Sequence, residues 1–403
     1  ADEIGCGASG QCAGMVAVTS GEEYARVERH FGVEAATALR ETSAAAYAVI
    51  RELAASEGVA DFGFREQDLL LTASTKREQT RLEATCQAAR RAGLAAEWLE
   101  GTQCPVPTVA GVRLPRQAVL DPECYVGALL AQALALGLTL YERSRVVAVD
   151  SNVVYTDTGS VLAPYIVIAT GFPIVNRPGG MYRRFEQRAA YLLPLERPAG
   201  FEGMYENIAG QFALRAMAGG ALLWLPGKAV GCGREEVARQ YRRRYAAHFG
   251  FEEPARVAHG AMVCSVDGLP CAGAYGKKMP NLFVAGGYGR CGIVRSMVAA
   301  QAISAAILGL PGDGYALYGK AREGPHTRAR VLVNGAKQAG RFLRAETRLR
   351  APRCPHTGCK LTYRPRTRTW ECPCHGSQFD DIGRLLSAPA VKNAQIHSAQ
   401  RRR

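Results

Sequence analysis

The feature that most limits what this chain can fold into lies near its C-terminal end, in RCPHTGCKLTYRPRTRTWECPCHGSQFD, where four cysteines and two histidines crowd together. Cys354-Pro355-His356 is a C-x-H unit, and Cys372-Pro373-Cys374-His375 contains a C-x-x-H unit, with fifteen residues between His356 and Cys372. Each loop therefore offers one thiolate and one imidazole. A zinc site tolerates that mixture, but zinc loops usually pair two thiolates on one turn. A C-x-H loop facing a C-x-x-H loop suits a 2Fe-2S cluster in which two thiolates take one iron and two imidazoles the other. Two further thiols, Cys359 and Cys374, stand in the same loops. The residues alone leave open whether they cross-link or belong to a zinc ribbon with two idle cysteines.

The flanking CPHTGC and CPCHGS resemble the Rieske iron-sulfur proteins. That resemblance implies that Cys354 and Cys372 ligate one iron and His356 and His375 the other. It also implies that Cys359 and Cys374 cross-link the two loops as a disulfide, as in the disulfide-bearing Rieske branch. Ser377 matches a serine whose hydroxyl bonds a cluster sulfide, Phe379 stands where respiratory members often carry tyrosine, and SAPA at 387–390 resembles the loop covering the cluster. A small all-β module follows as the expectation for this end of the chain.

At 403 residues the chain has room for a large unit beside that module. The longest apolar run, YVGALLAQALALGLTLY, is interrupted by Gln132 and two glycines, so no membrane span is expected. Beyond the four thiols of the cluster loops, the other nine cysteines follow no framework pattern, which points to a reducing cytoplasm. The net charge of +14 comes wholly from residues 320–403, with 19 Lys or Arg against 5 Asp or Glu; the first 319 residues balance at 31 against 31. The basic end lacks interleaved aromatics, which argues against nucleic acid and for solubility or an acidic redox partner docking near Arg364, Arg366 and Arg368.

Helical and extended patterns alternate through the first three hundred residues. Ser20-x-x-Glu23 reads as a capping box opening helices broken near Gly32 and Gly58, and Asp121-Pro122 as an N-cap and first helical position. LTLYE, RVVAV, VVYTDTG and a buried PYIVIAT read as strands, and runs between 190 and 231 as antiparallel strands. The architecture expected is α/β: a Rossmann-like nucleotide-binding domain interrupted by an antiparallel substrate domain. Residues 281–308 run strand, Gly287-x-Gly289-x-x-Gly292, helix. No second strand follows, so this is better read as a flavoprotein's terminal strand-turn-helix, with the helix N-terminus facing the flavin, than as a dinucleotide fingerprint.

Taken in order, ADEIGCGASGQCAG, AVLDPECYVGALLAQA, VVYTDTGSVLAPYIVIATGF, GMYENIAGQFALRAMAGGALLWLPG and VDGLPCAGAYGKKMPNLFVAGGYGRCGI resemble the FAD-dependent oxidoreductases of the D-amino-acid oxidase and glycine oxidase superfamily, in the bacterial branch with a C-terminal Rieske module. By that resemblance Ser9 and Gly10 line the flavin pyrophosphate and ribityl region, Val146 contacts adenine, and Ala169, Thr170 and Gly171 form a turn packed on FAD. Gly287, Gly289, Gly292 and Ile293 match the loop at the pyrimidine ring, and Arg215 a strand position facing the substrate, with Tyr288 and Tyr205 as weaker candidates. In the family roughly thirty residues carrying the FAD fingerprint precede ADEIG, so an N-terminal truncation is expected. The expected organisation is an oxidoreductase domain over 1–315, a basic linker over 316–350 and the Rieske module over 351–395. The expected activity is oxidation of the C–N bond of a small amine or amino acid, with electrons passed singly to the cluster. The competing expectations are an oxygen-using oxidase with a structural cluster, and a non-enzymatic redox sensor or electron-transfer adaptor.

Overall fold

A glycine divides the first helical stretch in two. At Gly32, φ is +93°, in backbone space that other residues avoid. Helix α1 (Glu23–Phe31) stops there and α2 (Val33–Ala55) starts beyond it. The structure is a computed structural model describing residues 3–101, 108–175, 180–196, 202–217, 219–229, 258–276, 278–319, 322, 324–345, 352–365 and 367–396. The expected capping box does not form. The N-cap is Glu22, without a side-chain bond; Ser20 Oγ donates instead to Glu206 at 2.7 Å, and Glu23 pairs with buried Arg295. A buried charge-assisted contact outweighs a local cap.

In chain order there follow β1 (Met15–Val16, before α1), β2 (Arg65–Ala73), α3 (Lys76–Arg91), β3 (Glu97–Leu99), β4 (Ala110–Val119) and α4 (Pro122–Ala135). Helix α4 is capped as the sequence predicts, Asp121 Oδ1 accepting from the N–H groups of Glu123 and Cys124 at 2.9 Å, a cap worth about 1 kcal/mol. The expected strand LTLYE is absent. Leu138, Leu140 and Tyr141 are exposed, because strand propensity without a partner ladder leaves the backbone unpaired.

Next come β5 (Val146–Asp150), β6 (Val153–Thr156), β7 (Ser160–Leu162) and β8 (Ile166–Gly171). After them stand β9 (Phe185–Glu196), β10 (Met204–Asn207), β11 (Ala213–Met217), β12 (Gly220–Ala229), β13 (Ala258–Ser265), β14 (Cys271–Gly276), β15 (Met279–Gly286) and α5 (Gly292–Leu308). Strand β8 is not fully buried as expected: Ile166 and Ile168 point into a core while Val167, Ala169 and Thr170 are exposed. One sheet runs β1-β4-β2-β10-β11-β12-β9-β13 with β3 on β4, a second β14-β15-β8, and a third β5-β6-β7. The pairs β2–β10 and β8–β15 are parallel, whereas β9 to β13 form the expected antiparallel portion.

Where a weakly patterned basic linker is expected, the chain forms a 3-10 turn (Asp313–Tyr318) and a 21-residue helix, α6 (Pro325–Ala345). Its start is locked by a buried ion pair, Arg322 Nε to Asp267 Oδ2 at 2.9 Å, with Thr327 Oγ1 donating to the same oxygen at 3.1 Å. The last sheet, β16 (Thr362–Arg364), β17 (Thr369–Glu371), β18 (Gln378–Phe379) and β19 (Leu385–Ser387), is an antiparallel meander carrying the cysteine loops. Among the described residues no helix is long and apolar enough to cross a membrane.

Candidate functional site

The two cysteine loops are built alike. In the first, Cys354 N–H donates to Cys359 O at 2.7 Å and Gly358 N–H to Cys354 O at 2.9 Å. In the second, Cys372 N–H donates to Ser377 O at 2.8 Å and Gly376 N–H to Cys372 O at 3.0 Å. Gly358 and Gly376 hold φ of 78° and 82°, which glycine adopts without strain. Sequence reasoning passed over both glycines; their signal is the same offset from the first cysteine of each loop.

These loops bring Cys354, Cys359, Cys372 and Cys374 into one buried cluster with Trp370 and Phe379. The Sγ atoms of Cys359, Cys372 and Cys374 lie within 4.8 Å of one another. The disulfide expected between Cys359 and Cys374 is not formed in this structure, although the pair is close. Sulfur spacing therefore does not separate ligands from a cross-linking pair. The imidazoles are more informative: the rings of His356 and His375 stand 4.8 Å apart at 89°. Among the described residues neither nitrogen of His356 has a hydrogen-bond partner. Burial, with His375 beside it, pushes the His356 pKa down to about 3, so the ring is neutral and its lone pair is available to a metal. Ser377 is fully buried and its Oγ accepts from Ala390 N–H at 3.0 Å, leaving the hydroxyl proton for sulfur. Thiols and an orphaned neutral imidazole on facing loops fit an iron-sulfur cluster.

The other sequence-predicted residues divide into groups. Gly171 ends β8, paired with Gly286 at the end of β15, so the Ala169–Gly171 end of β8 and the Gly287 loop meet at the carboxyl ends of two parallel strands. That is where α/β sheets bind ligands. A Cβ on Gly287 would stand 2.9 Å from Phe185 and 3.0 Å from Ser265, which restricts the position to glycine. Gly171 and Gly292 face open space instead. Gly292 starts the 17-residue α5, whose N-cap gives no side-chain bond and whose first turn has no acid. Its positive dipole end suits an anionic ring edge. Gly289 holds φ of 59°, and Ile293 is buried in a core that Cys12 and Tyr288 also touch. Val146 lies on the separate β5-β6-β7 sheet, and Ser9 and Gly10 in turns beside Glu123 at the head of α4.

Arg215 is 8% exposed on β11. By register it shares a face with Leu222, Ala213 and Trp224, the face onto which Ala13 and Met15 pack, while Tyr205 shares the opposite face with Leu214. Tyr205 is thereby removed from the Arg215 side. Arg215 Nη1 donates to Leu120 O at 3.3 Å, and its buried Nε has no partner among the described residues. Burial pulls its pKa below the ordinary value. Tyr288 O accepts from Arg295 at 2.6 Å, and burial raises its phenol to about 12, so it is a hydrogen-bond donor and not a base. Burial likewise raises the thiols of Cys12 and Cys291, which fits packing.

Residues 1–306 match the family model described as FAD dependent oxidoreductase. The chain belongs to that family. Residues 325–398 match the Rieske [2Fe-2S] domain, so the second match begins with α6. The protein is thus an oxidoreductase with FAD and a 2Fe-2S cluster as its cofactors. A relative spanning both parts is the "Putative Rieske 2Fe-2S iron-sulfur protein YhfW" of Bacillus subtilis (strain 168), 24% identical over 92% of this chain and 82% of its own length. The ubiquinol-cytochrome c reductase iron-sulfur subunit of Rickettsia prowazekii is 43% identical over 44 residues, 11% of this chain and 25% of the subunit. Among solved structures, glycine oxidase from Geobacillus kaustophilus aligns with a TM-score of 0.59 at 21% identity over 77% of this chain and 86% of its own. L-proline dehydrogenase from P. horikoshii aligns at 0.62 with 15% identity over 78% and 87%. Both share this fold.

Proposed function

We propose that the protein oxidises the C–N bond of a small amine or amino acid and passes the electrons to its own cluster. The observation that carries the substrate reading is Arg215, a buried guanidinium whose Nε has no hydrogen-bond partner among the described residues, on the sheet face turned toward Cys12–Met15. The Asp121 charge acts on this desolvated cation without bonding it directly, and a substrate carboxylate forming a bidentate pair would offset the cost of its burial. This favours amino acids over plain amines. Tyr288, neutral and half-buried within the Gly287–Gly292 loop, would donate to a substrate oxygen.

Bound FAD supplies a two-electron hydride acceptor, and the 2Fe-2S cluster a one-electron carrier. Ala169, Thr170, Gly171, Gly287, Gly289, Gly292 and Ile293 would hold the flavin ring, Ser9 and Gly10 its phosphates and Val146 its adenine. Cys354 and Cys372 would bind one iron, His356 and His375 the other, and Cys359 and Cys374 would form the loop disulfide. The final acceptor is proposed to be an acidic carrier protein, and the scattered cysteines outside the cluster loops, seven of them described and free, support a cytoplasmic setting. The test is an anaerobic screen of amino acids and amines for substrate-dependent flavin bleaching. Amino acids should bleach the flavin, with the Rieske spectrum of the reduced cluster following. Flavin that stays reduced beside an oxidised cluster, and is reoxidised with release of peroxide once oxygen is admitted, would return the protein to the oxidase reading.

A further inference from the structure

The imidazole edge of the cluster site is packed against the flavin domain of its own chain. Phe172, 3% exposed, directly follows the Ala169–Gly171 end of β8. Its ring lies 5.4 Å from that of His375 and 6.1 Å from that of His356. On its other side it stands 6.2 Å from Phe185, whose ring fills the space beside Gly286 and Gly287. Tyr182 closes the second flank, edge-on to His375 at 5.5 Å and to His356 at 6.3 Å. Tyr182 is held from behind by α6: Gln338 Nε2 donates to its carbonyl at 3.4 Å, and Asn334 Nδ2 to the carbonyls of Arg183 and Phe185 at 2.9 and 3.1 Å. The same helix reaches the cluster module through Phe342.

We infer that Phe172 and Tyr182 are positioning residues that clamp the cluster's imidazole edge onto the two flavin-site segments, making this chain's own flavin domain the partner of that edge. The inference rests on the cofactor placement proposed above. Its consequence is directional. His375 is 3% exposed, so an outside carrier meets the module on other faces, and the imidazole side is reserved for exchange within the chain. A ring that only filled a core would affect stability. A ring that seals the imidazoles from water also sets the cluster's potential, because the reduced cluster carries one more negative charge and water stabilises it.

The test uses the holoenzyme with Phe172→Ala, Phe172→Leu, Tyr182→Ala and Tyr182→Phe, read by potentiometric titration of the cluster, its EPR spectrum and anaerobic rapid mixing. Phe172→Ala and Tyr182→Ala should keep flavin and iron while the midpoint potential rises, the EPR g-values shift and cluster reduction after flavin bleaching slows. Phe172→Leu should shift the midpoint less, in the same direction, and decides the matter if the alanine variant loses its iron. Tyr182→Phe should match the wild type. Midpoint, spectrum and transfer rate unchanged in the alanine variants that retain iron, or in Phe172→Leu where Phe172→Ala does not, would overturn the clamp. If the wild-type cluster takes no electron from the flavin, the electron-flow reading fails, while the midpoint shift, measured with chemical reductant, still decides the clamp.

Discussion

Single side chains divide the chemistry between two kinds of evidence. Cys354, His356, Cys372 and His375 stand out by spacing, and replacing an imidazole with a thiolate adds negative charge to the cluster. His356→Cys or His375→Cys should therefore lower the midpoint potential and convert the spectrum from Rieske-like to ferredoxin-like. Cys359 and Cys374 mutated together to Ser should retain iron with less stable loops, as iron analysis and thermal denaturation would show. Loss of all iron in that double variant, with unchanged spectra in the histidine variants, would reverse the ligand assignment. Arg215 belongs to the other kind, legible only as a strand position until its burial and orphaned Nε are known. Arg215→Ala should reduce kcat/KM for an amino acid roughly a hundredfold, about 3 kcal/mol of charged hydrogen bonding. An amine analogue without the carboxylate should lose little. Arg215→Lys should not restore the bidentate geometry.

At the level of elements, the junction before α6 is held by charge. Burial raises the Asp267 pKa, but Arg322 and hydrogen bonds from Ser265 and Thr327 outweigh it and hold the carboxyl below its ordinary value of 3.8. A depressed carboxyl contributes stability that is complete above the unfolded value and lost as pH falls through the lower folded one. Denaturant unfolding should therefore show stability falling on acidification below about pH 4, with Asp267→Asn flattening that part of the profile. At pH 7 the same variant should lose about 3–5 kcal/mol, because it leaves Arg322 buried and unpaired. An unchanged unfolding midpoint would show that the pair is dispensable. Helix α6 acts as a strut, joined to the 3-10 turn of Met181–Arg184 by Asn334 and Gln338 and to the cluster module by Phe342.

For the whole molecule, the excess positive charge lies in the last part of the chain, yet part of it is already neutralised locally. Arg364 pairs with Glu371 at 3.1 Å and Arg368 with Asp381 at 2.7 Å; Arg366 and residues 401–403 lie outside the described residues. Docking of the proposed acidic carrier would then draw on the field of the module more than on those two arginines. Reoxidation of the reduced enzyme by such a carrier should slow as salt rises, since exposed charges are screened beyond about 8 Å at physiological ionic strength. Internal reduction of the cluster, between groups packed in one protein, should be insensitive to salt in the same rapid-mixing experiment.

The pairing of a thiol and an imidazole in each cysteine loop was legible in the sequence, because loops this short carry it in spacing alone. Helix breaks at Gly32, the Asp121 cap and the turn after β15 were legible for the same reason: neighbouring residues decide them. What failed were features that depend on distant partners. Glu23 left its capping box for Arg295, 272 residues away, LTLYE found no ladder, and a basic stretch became α6 through contacts with residues near position 183. Phe172 and Tyr182 carry no signal of their own, since an aromatic after a strand is ordinary until folding sets it against an imidazole. Spacing along the chain sets what a loop can bind, and only tertiary packing decides which surface the bound centre faces.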